Sequence, residues 1–293
     1  MQCLHPKEVR NPVTGSSMFV PCRVCPACLH NRQKEWAFRI LMEAKYSVNP
    51  SFFVTLTFDD NLVSDMSLTR ELDRKYIHDF CKRIAARLKY NKIMDHFRYF
   101  GCGEYGDLGR AHYHLIVFDV PLSLPDFKVI LDDSWRVGFV TIAPLSDARA
   151  MYVAKYTCKE LFEDVFYSDK KQKPFATIST GSKKCRDNWI GHKFLDDKKL
   201  IERIKDEQLF YVRSDTGSVY NLPRAYRDRL FTKFERELHS DFLILRSEHP
   251  VMTYSQGLKR AYRLIEQNKF YETQFYKRLS DERKLARQAG LEC

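Results

Sequence analysis

The sequence predicts an α+β domain, with helices packed on an antiparallel sheet. Three observations lead there. Runs rich in β-branched and aromatic residues recur at 51–58 (SFFVTLTF), 96–104, 112–118 and 137–145, the composition of strands. Stretches with apolar residues at helical spacing lie before, between and after them, at 34–47, 68–90, 127–135 and 146–162. From residue 51 the order is strand, helix, strand, strand, helix, strand, helix. The two adjacent strands are joined only by Tyr105–Ala111, where Gly106 and Gly109 supply turn chemistry, so they read as an antiparallel hairpin.

Residues 1–34 read as irregular, with Pro6, Pro12, Pro21 and Pro26 interrupting any regular element. From Lys34, KEWAFRILMEAKYS reads as a helix with Trp36, Ile40 and Leu41 facing inward, ended by Asn49–Pro50. In 68–90, Leu72, Ile77, Phe80, Ile84 and Leu88 lie near helical spacing. FKVILDDSW (127–135) reads as a helix and VGFVTIAPL (137–145) as a strand. SDARAMYVAKYTCKELF (146–162) reads as a helix capped by Ser146 or Asp147. YVRSDTGSVY (211–220) reads as a hairpin around Gly217, and the chain beyond Arg224 as largely polar helix. The expected organisation is a Cys-rich segment 1–34, a main domain 35–231 and a helical C-terminal extension 232–293.

At 293 residues, with 44% hydrophobic and 14% aromatic content, the chain is folded rather than disordered. A net charge of +11 favours a polyanionic partner. No run approaches the roughly 18 apolar residues of a membrane span, and MQCLHPKEVRNP lacks the apolar centre of a signal peptide. Nine cysteines with no export signal point to reduced thiols or metal ligation rather than disulfides, and to the cytoplasm.

Two constellations carry chemistry. In a strand, residues i and i+2 share a face, so His112 and His114 in RAHYHLIVF project together. A hairpin centred near Leu108 puts Glu104 across from His112 on that face. One carboxylate and two imidazoles suit a divalent ion with open positions for phosphate and water. Oxygen ligands favour Mg²⁺ or Mn²⁺, and Mn²⁺ also accepts imidazole. On the helix 146–162, Tyr152 and Tyr156 are an i, i+4 pair, and Lys155 and Lys159 a second pair one residue over. A phenol with a pKa of about 10 is a poor nucleophile unless cations and a polarised phosphate favour its phenolate. The four residues therefore read as a catalytic strip, with Tyr156, flanked by both lysines, expected to act first.

FFVTLTF, GEYG…RAHYHLIVF and YVAKYTCK, in this order, resemble the three motifs of HUH endonucleases, and YxxKYxxK resembles the two-tyrosine class. VPCRVCPACLHNRQKEWAFRI (20–40) and NLPRAYRDRLF (221–231) are similar to segments of the replication initiators of gokushovirus-type microviruses, small single-stranded DNA bacteriophages. The likeness covers about residues 1–231, with Ala225 interrupting the expected PRYY. It implies an HUH-like palm, a ferredoxin- or RRM-like antiparallel sheet flanked by helices. It implies rolling-circle initiation: a nick in single-stranded DNA at the viral origin, a 5′-phosphotyrosine link, and rejoining that releases circles. It also implies host DNA polymerase and helicase as partners in the bacterial cytoplasm, since no GxxxxGK[ST] stretch provides a built-in motor. Two alternatives remain. An HUH relaxase or transposase would use the same pocket, although a relaxase usually places its histidines after the tyrosine. A non-catalytic single-stranded nucleic-acid binder would stack bases on the tyrosines and meet phosphates with the lysines.

Cys22, Cys25 and Cys28 follow C-x₂-C-x₂-C, with Cys3 as a fourth thiolate. The set reads as a structural Zn²⁺ site, with His5 and His30 as substitute ligands, an iron–sulfur cluster as an alternative on spacing, and free thiols as the bland reading.

Overall fold

The computed structural model describes residues 3–10, 15, 17–61, 71–106, 109–159, 172–179, 189–207, 209–214 and 217–236. Expectations for Leu108, 160–162 and 237–293 lie outside the described residues. The chain divides into two compact units, one from 1–31 and 195–282, the other from 32–194 and 283–293.

The second unit is α+β, as expected. Its sheet has five strands: β3 (Phe52–Phe58), β4 (Arg98–Tyr105), β5 (Ala111–Phe118), β6 (Gly138–Pro144) and β7 (Phe175–Ile178). They lie in the order β6-β3-β5-β4-β7, every pair antiparallel. The helices are α1 (Pro26–Lys45), α2 (Arg74–Tyr90), α3 (Leu124–Ser134) and α4 (Asp147–Lys159). Strand alternation sorts the faces. Phe52, Val54 and Leu56 of β3 are buried beside Tyr113, Leu115 and Val117 of β5. Against them pack Ile77, Phe80, Ile84 and Leu88 of α2 and Phe127, Ile130 and Leu131 of α3. Trp135 closes this core, its ring edge-on to Phe80 at 5.7 Å and its Nε1 donating to the Thr57 carbonyl at 2.9 Å. Full burial of each such side chain stabilises by about 1.5–3 kcal/mol. Gly138 opens β6 where no side chain fits: a Cβ there would lie 2.0 Å from the Thr57 carbonyl oxygen.

The opposite face holds Phe53, Thr55 and Thr57 of β3, Phe100, Cys102 and Glu104 of β4, and His112, His114, Ile116 and Phe118 of β5. Trp36 of α1 meets Phe100 on it, with ring centroids 5.2 Å apart. Helix α4 packs against β4, β5 and β7 on this side. Gln33 of α1 ties down α4 by donating to the Met151 carbonyl at 2.9 Å.

The first unit holds two small antiparallel ribbons, β1 (Lys7–Arg10) with β2 (Ser17–Val20) and β8 (Tyr211–Arg213) with β9 (Val219–Asn221). It also contains α5 (Lys198–Asp206) and α6 (Arg224–Leu230). Phe210 stacks on Phe231 with centroids 4.2 Å apart. The β8–β9 hairpin turns at Gly217, whose φ of +81° suits glycine, as the sequence predicts.

Several expectations are corrected. Residues 1–34 are not irregular throughout, because β1 and β2 pair there and α1 begins at Pro26 rather than Lys34. Proline is compatible with a first helical position, where its missing N–H costs nothing. On α1, Ala37, Phe38 and Ile40 are the deeply buried positions, whereas Trp36 and Leu41 are only half-buried. Leu72 is buried but precedes α2, whose start Asp73 fixes by accepting from the Lys75 N–H at 2.8 Å. Strand β7 and helix α5 have no counterpart among the elements expected from the sequence.

Candidate active site

The hairpin β4–β5 has the expected register, with Glu104 directly opposite His112 and Cys102 opposite His114. Its turn is built by Gly106 N–H donating to the Arg110 carbonyl at 2.8 Å, and by Gly109 at φ +70°. Glu104 and His114 are both buried, 7% exposed each, and Oε1 of the carboxylate lies 2.8 Å from His114 Nε2. On the other side of that ring, Nδ1 is 3.0 Å from Thr55 Oγ1, supplied by the neighbouring strand in register. An ionised carboxylate only accepts, so in this geometry Nε2 carries the proton and Nδ1 accepts from Thr55. The threonine hydroxyl can reverse its role if Nε2 becomes a metal ligand, which is how outer hydrogen bonds orient ligating imidazoles. Phe53 stacks on the His114 ring at 5.5 Å and 14°.

Helix α4 brings the phenols to this point. Tyr152 OH donates to Glu104 Oε1 at 2.5 Å, and Tyr156 OH donates to Tyr152 OH at 3.4 Å. Tyr152 rests edge-on against His114, with centroids 5.2 Å apart. The result is one hydrogen-bonded row: Tyr156, Tyr152, Glu104, His114, Thr55. The two phenols differ sharply in access, because Tyr152 is 41% exposed and Tyr156 is 2% exposed. Lys155 is exposed, with Nζ 5.8 Å from the Tyr156 ring centroid. Lys159 ends α4, and its side chain lies outside the described part.

His112 stands on the same strand face, with its ring over Gly106, where an added Cβ would meet Nε2 at 2.5 Å. Among the described residues, the only group of three or more metal-type donors within 4.8 Å of one another is Cys3, Cys22, Cys25 and Cys28. The donors of Glu104, His112 and His114 are thus not drawn together to that extent. In kind they suit a divalent ion: a buried carboxylate and imidazole already share one point, and a second imidazole sits opposite that carboxylate in register. Thr55 and Phe53 had no role in the reading of the sequence. The alternation of FFVTLTF could have found them, since it places both on the face of the histidines.

Comparison with known proteins falls on the same residues. Residues 51–161, from β3 past α4, match the family model of replication-associated protein ORF2. The chain is similar to the replication-associated protein ORF2 of Spiroplasma virus 4, 27% identical over 286 residues, covering 83% of this chain and 84% of that one. It is also similar to the replication-associated protein ORF4 of Chlamydia phage 1, 26% identical over 238 residues, covering 73% of this chain and 54% of that one. The resemblance to phage replication proteins read from the motifs agrees with these matches. No solved structure matches the chain. Among the described residues, no helix is long and apolar enough to cross a membrane.

Proposed function

We propose that the chain initiates rolling-circle replication of a small single-stranded DNA phage, nicking one strand at the origin and rejoining it on an HUH-like palm. The observation that carries this reading is the Tyr152 hydroxyl set 2.5 Å from the buried Glu104 carboxylate, with His114 on the same oxygen and Tyr156 behind. The Tyr152 oxygen attacks the scissile phosphorus, and its proton passes to Glu104 Oε1. The bond from phosphorus to the 3′-oxygen breaks, that oxygen takes a proton from water, and a 5′-phosphotyrosine remains. Tyr156 donates to the Tyr152 oxygen and so stabilises its negative charge. Lys155 and Lys159 supply positive charge beside the phosphate. Tyr156 then cuts the regenerated origin, and the free 3′-hydroxyl of the first strand attacks the Tyr152 ester, closing the circle and releasing the phenol. Bond energy is kept in the ester, so no ATP is consumed.

Glu104, His112 and His114 would hold Mn²⁺ or Mg²⁺, which when bound supplies Lewis-acid polarisation of the phosphate. The order of attack differs from that expected from the sequence: Tyr152 is open and already on the base, whereas the Tyr156 ring is buried. The 3′-end serves a host polymerase, with a host helicase opening the duplex in the bacterial cytoplasm.

The test uses a labelled single-stranded origin oligonucleotide, Mn²⁺ and a denaturing gel. A covalent protein–DNA band with released 3′-fragment supports the reading. Salt-sensitive binding with no adduct contradicts it and supports a passive single-strand binder.

A further inference from the structure

We propose that Cys3, Cys22, Cys25 and Cys28 bind one zinc ion in a closed, four-thiolate structural site. This inference does not rest on the strand-cutting reading, and it concerns the N-terminal unit alone.

The four sulfurs all lie within 4.8 Å of one another, with Cys3 Sγ 3.8 Å from Cys25 Sγ and Cys22 Sγ 4.0 Å from Cys28 Sγ. A tetrahedral ion with bonds of about 2.3 Å sets its sulfurs about 3.8 Å apart. Those separations are too long for disulfides, whose sulfurs are about 2 Å apart. They are too short for a four-iron cluster, in which each thiolate binds its own iron at a separate corner.

The backbone is arranged for anionic sulfur. Cys22 N–H donates to Cys3 Sγ at 3.2 Å, Leu4 N–H to Cys25 Sγ at 3.4 Å, and Cys25 N–H to Cys22 Sγ at 3.3 Å. Thiols are weak acceptors, and a ring of N–H groups aimed at them suits thiolates. Burial alone would raise the Cys22 thiol, but the N–H groups of Val24 and Cys25 bring it down to about 6. Burial pushes Cys3 and Cys28 up, so without a cation the set does not ionise together. Arg23 sits at φ +68°, a strained conformation for a non-glycine residue, and this turn lies between Cys22 and Cys25. The four ligands fill a tetrahedron and leave no open position, so the ion is structural rather than catalytic.

The unit needs such a closure. Between Cys3 and Cys22 the chain forms only the ribbon β1–β2, whose first strand is exposed throughout and whose Phe19 is 73% exposed. A lone two-stranded ribbon is at best marginally stable in water. An ion joining Cys3 to Cys22, Cys25 and Cys28 holds both ends of that ribbon to the first turn of α1.

The full-length chain, purified without chelator, is analysed for metal. About one zinc per chain is expected, released when a mercurial titrates the thiols. Cobalt exchanged into the wild-type chain should give the thiolate charge-transfer and tetrahedral ligand-field bands, a readout independent of any variant. Cys25→Ser/Cys28→Ser should lower zinc content about tenfold or more, while Cys81→Ser, at a buried cysteine outside the cluster, should retain it. Absence of zinc from the wild-type chain even after reconstitution, stoichiometric iron in its place, or full zinc in the double variant would overturn the assignment. DNA-adduct formation is measured on the same samples, so an active chain without zinc sinks this inference and leaves the proposed function standing.

Discussion

Replacing Tyr152 by Phe removes one hydroxyl, the one that donates to Glu104 Oε1 at 2.5 Å, and leaves a ring of the same shape. Tyr156 remains, but its ring is 2% exposed, and its oxygen stands 3.4 Å behind that of Tyr152. To attack in place of Tyr152 it must leave its packing, which costs about 1.5–3 kcal/mol for a large apolar side chain. With each ~1.4 kcal/mol worth a factor of ten, first-strand cleavage by Tyr152→Phe should slow about 10- to 100-fold. Tyr156→Phe loses only a neutral hydrogen bond worth about 1 kcal/mol, so its first cleavage should slow less than about tenfold. Its defect should appear at the second cut, as failure to release circles. The assay is single-turnover adduct formation on a labelled origin strand, with enzyme in excess. If Tyr156→Phe proves the slower of the two in the first cut, access does not order the nucleophiles and the reasoning fails.

Glu104→Gln keeps the shape of the buried side chain but removes the charge that accepts from Tyr152 and His114, and adduct formation should fall about 10²- to 10⁴-fold with the melting temperature little changed; near-normal rates would remove Glu104 as the proton acceptor. Thr55→Val deletes the hydroxyl 3.0 Å from His114 Nδ1, and the Mn²⁺ concentration needed for half-maximal cleavage should rise about 10- to 100-fold while DNA affinity holds. An unchanged metal requirement would show that the contact does not orient His114 as a ligand. Phe80→Ala empties a fully buried position against Trp135 and should cost about 3–5 kcal/mol in denaturant unfolding; a loss under about 1 kcal/mol would mean the core of α2 is misassigned.

The parts of the fold that repeat a simple period were legible in the sequence. The alternation in FFVTLTF and AHYHLIVF gave both strands, and two glycines between 105 and 111 gave the hairpin that sets Glu104 against His112. The i, i+4 spacing of Tyr152 and Tyr156 placed both phenols on one side of α4. What spacing could not give was depth. Nothing in YVAKYTCK distinguishes an exposed tyrosine from a buried one, because that depends on how α4 lies against β4, β5 and β7. The role of Thr55 was hidden for a related reason: it depends on β3 pairing with β5, a contact between residues 59 apart. The start of α1 is easily misjudged because prolines and cysteines around residue 26 look like loop, although Pro26 is acceptable at a helix start. Strand β7 joins the sheet edge with only four residues, too few to show a period.

The central claim is that DNA becomes covalently bound to α4, and it has a direct measurement. Trypsin cuts after Arg149, Lys155 and Lys159, so Tyr152 falls in Ala150–Lys155 and Tyr156 in Tyr156–Lys159. The adduct formed in a single turnover with an origin strand is digested with nuclease and trypsin, and the nucleotide-bearing peptide is identified by mass spectrometry. The account predicts a phosphodiester-linked nucleotide on Ala150–Lys155, with Tyr156–Lys159 labelled only after a second cut. A nucleotide on any peptide lacking both tyrosines, or cleavage with no linked peptide, would contradict it.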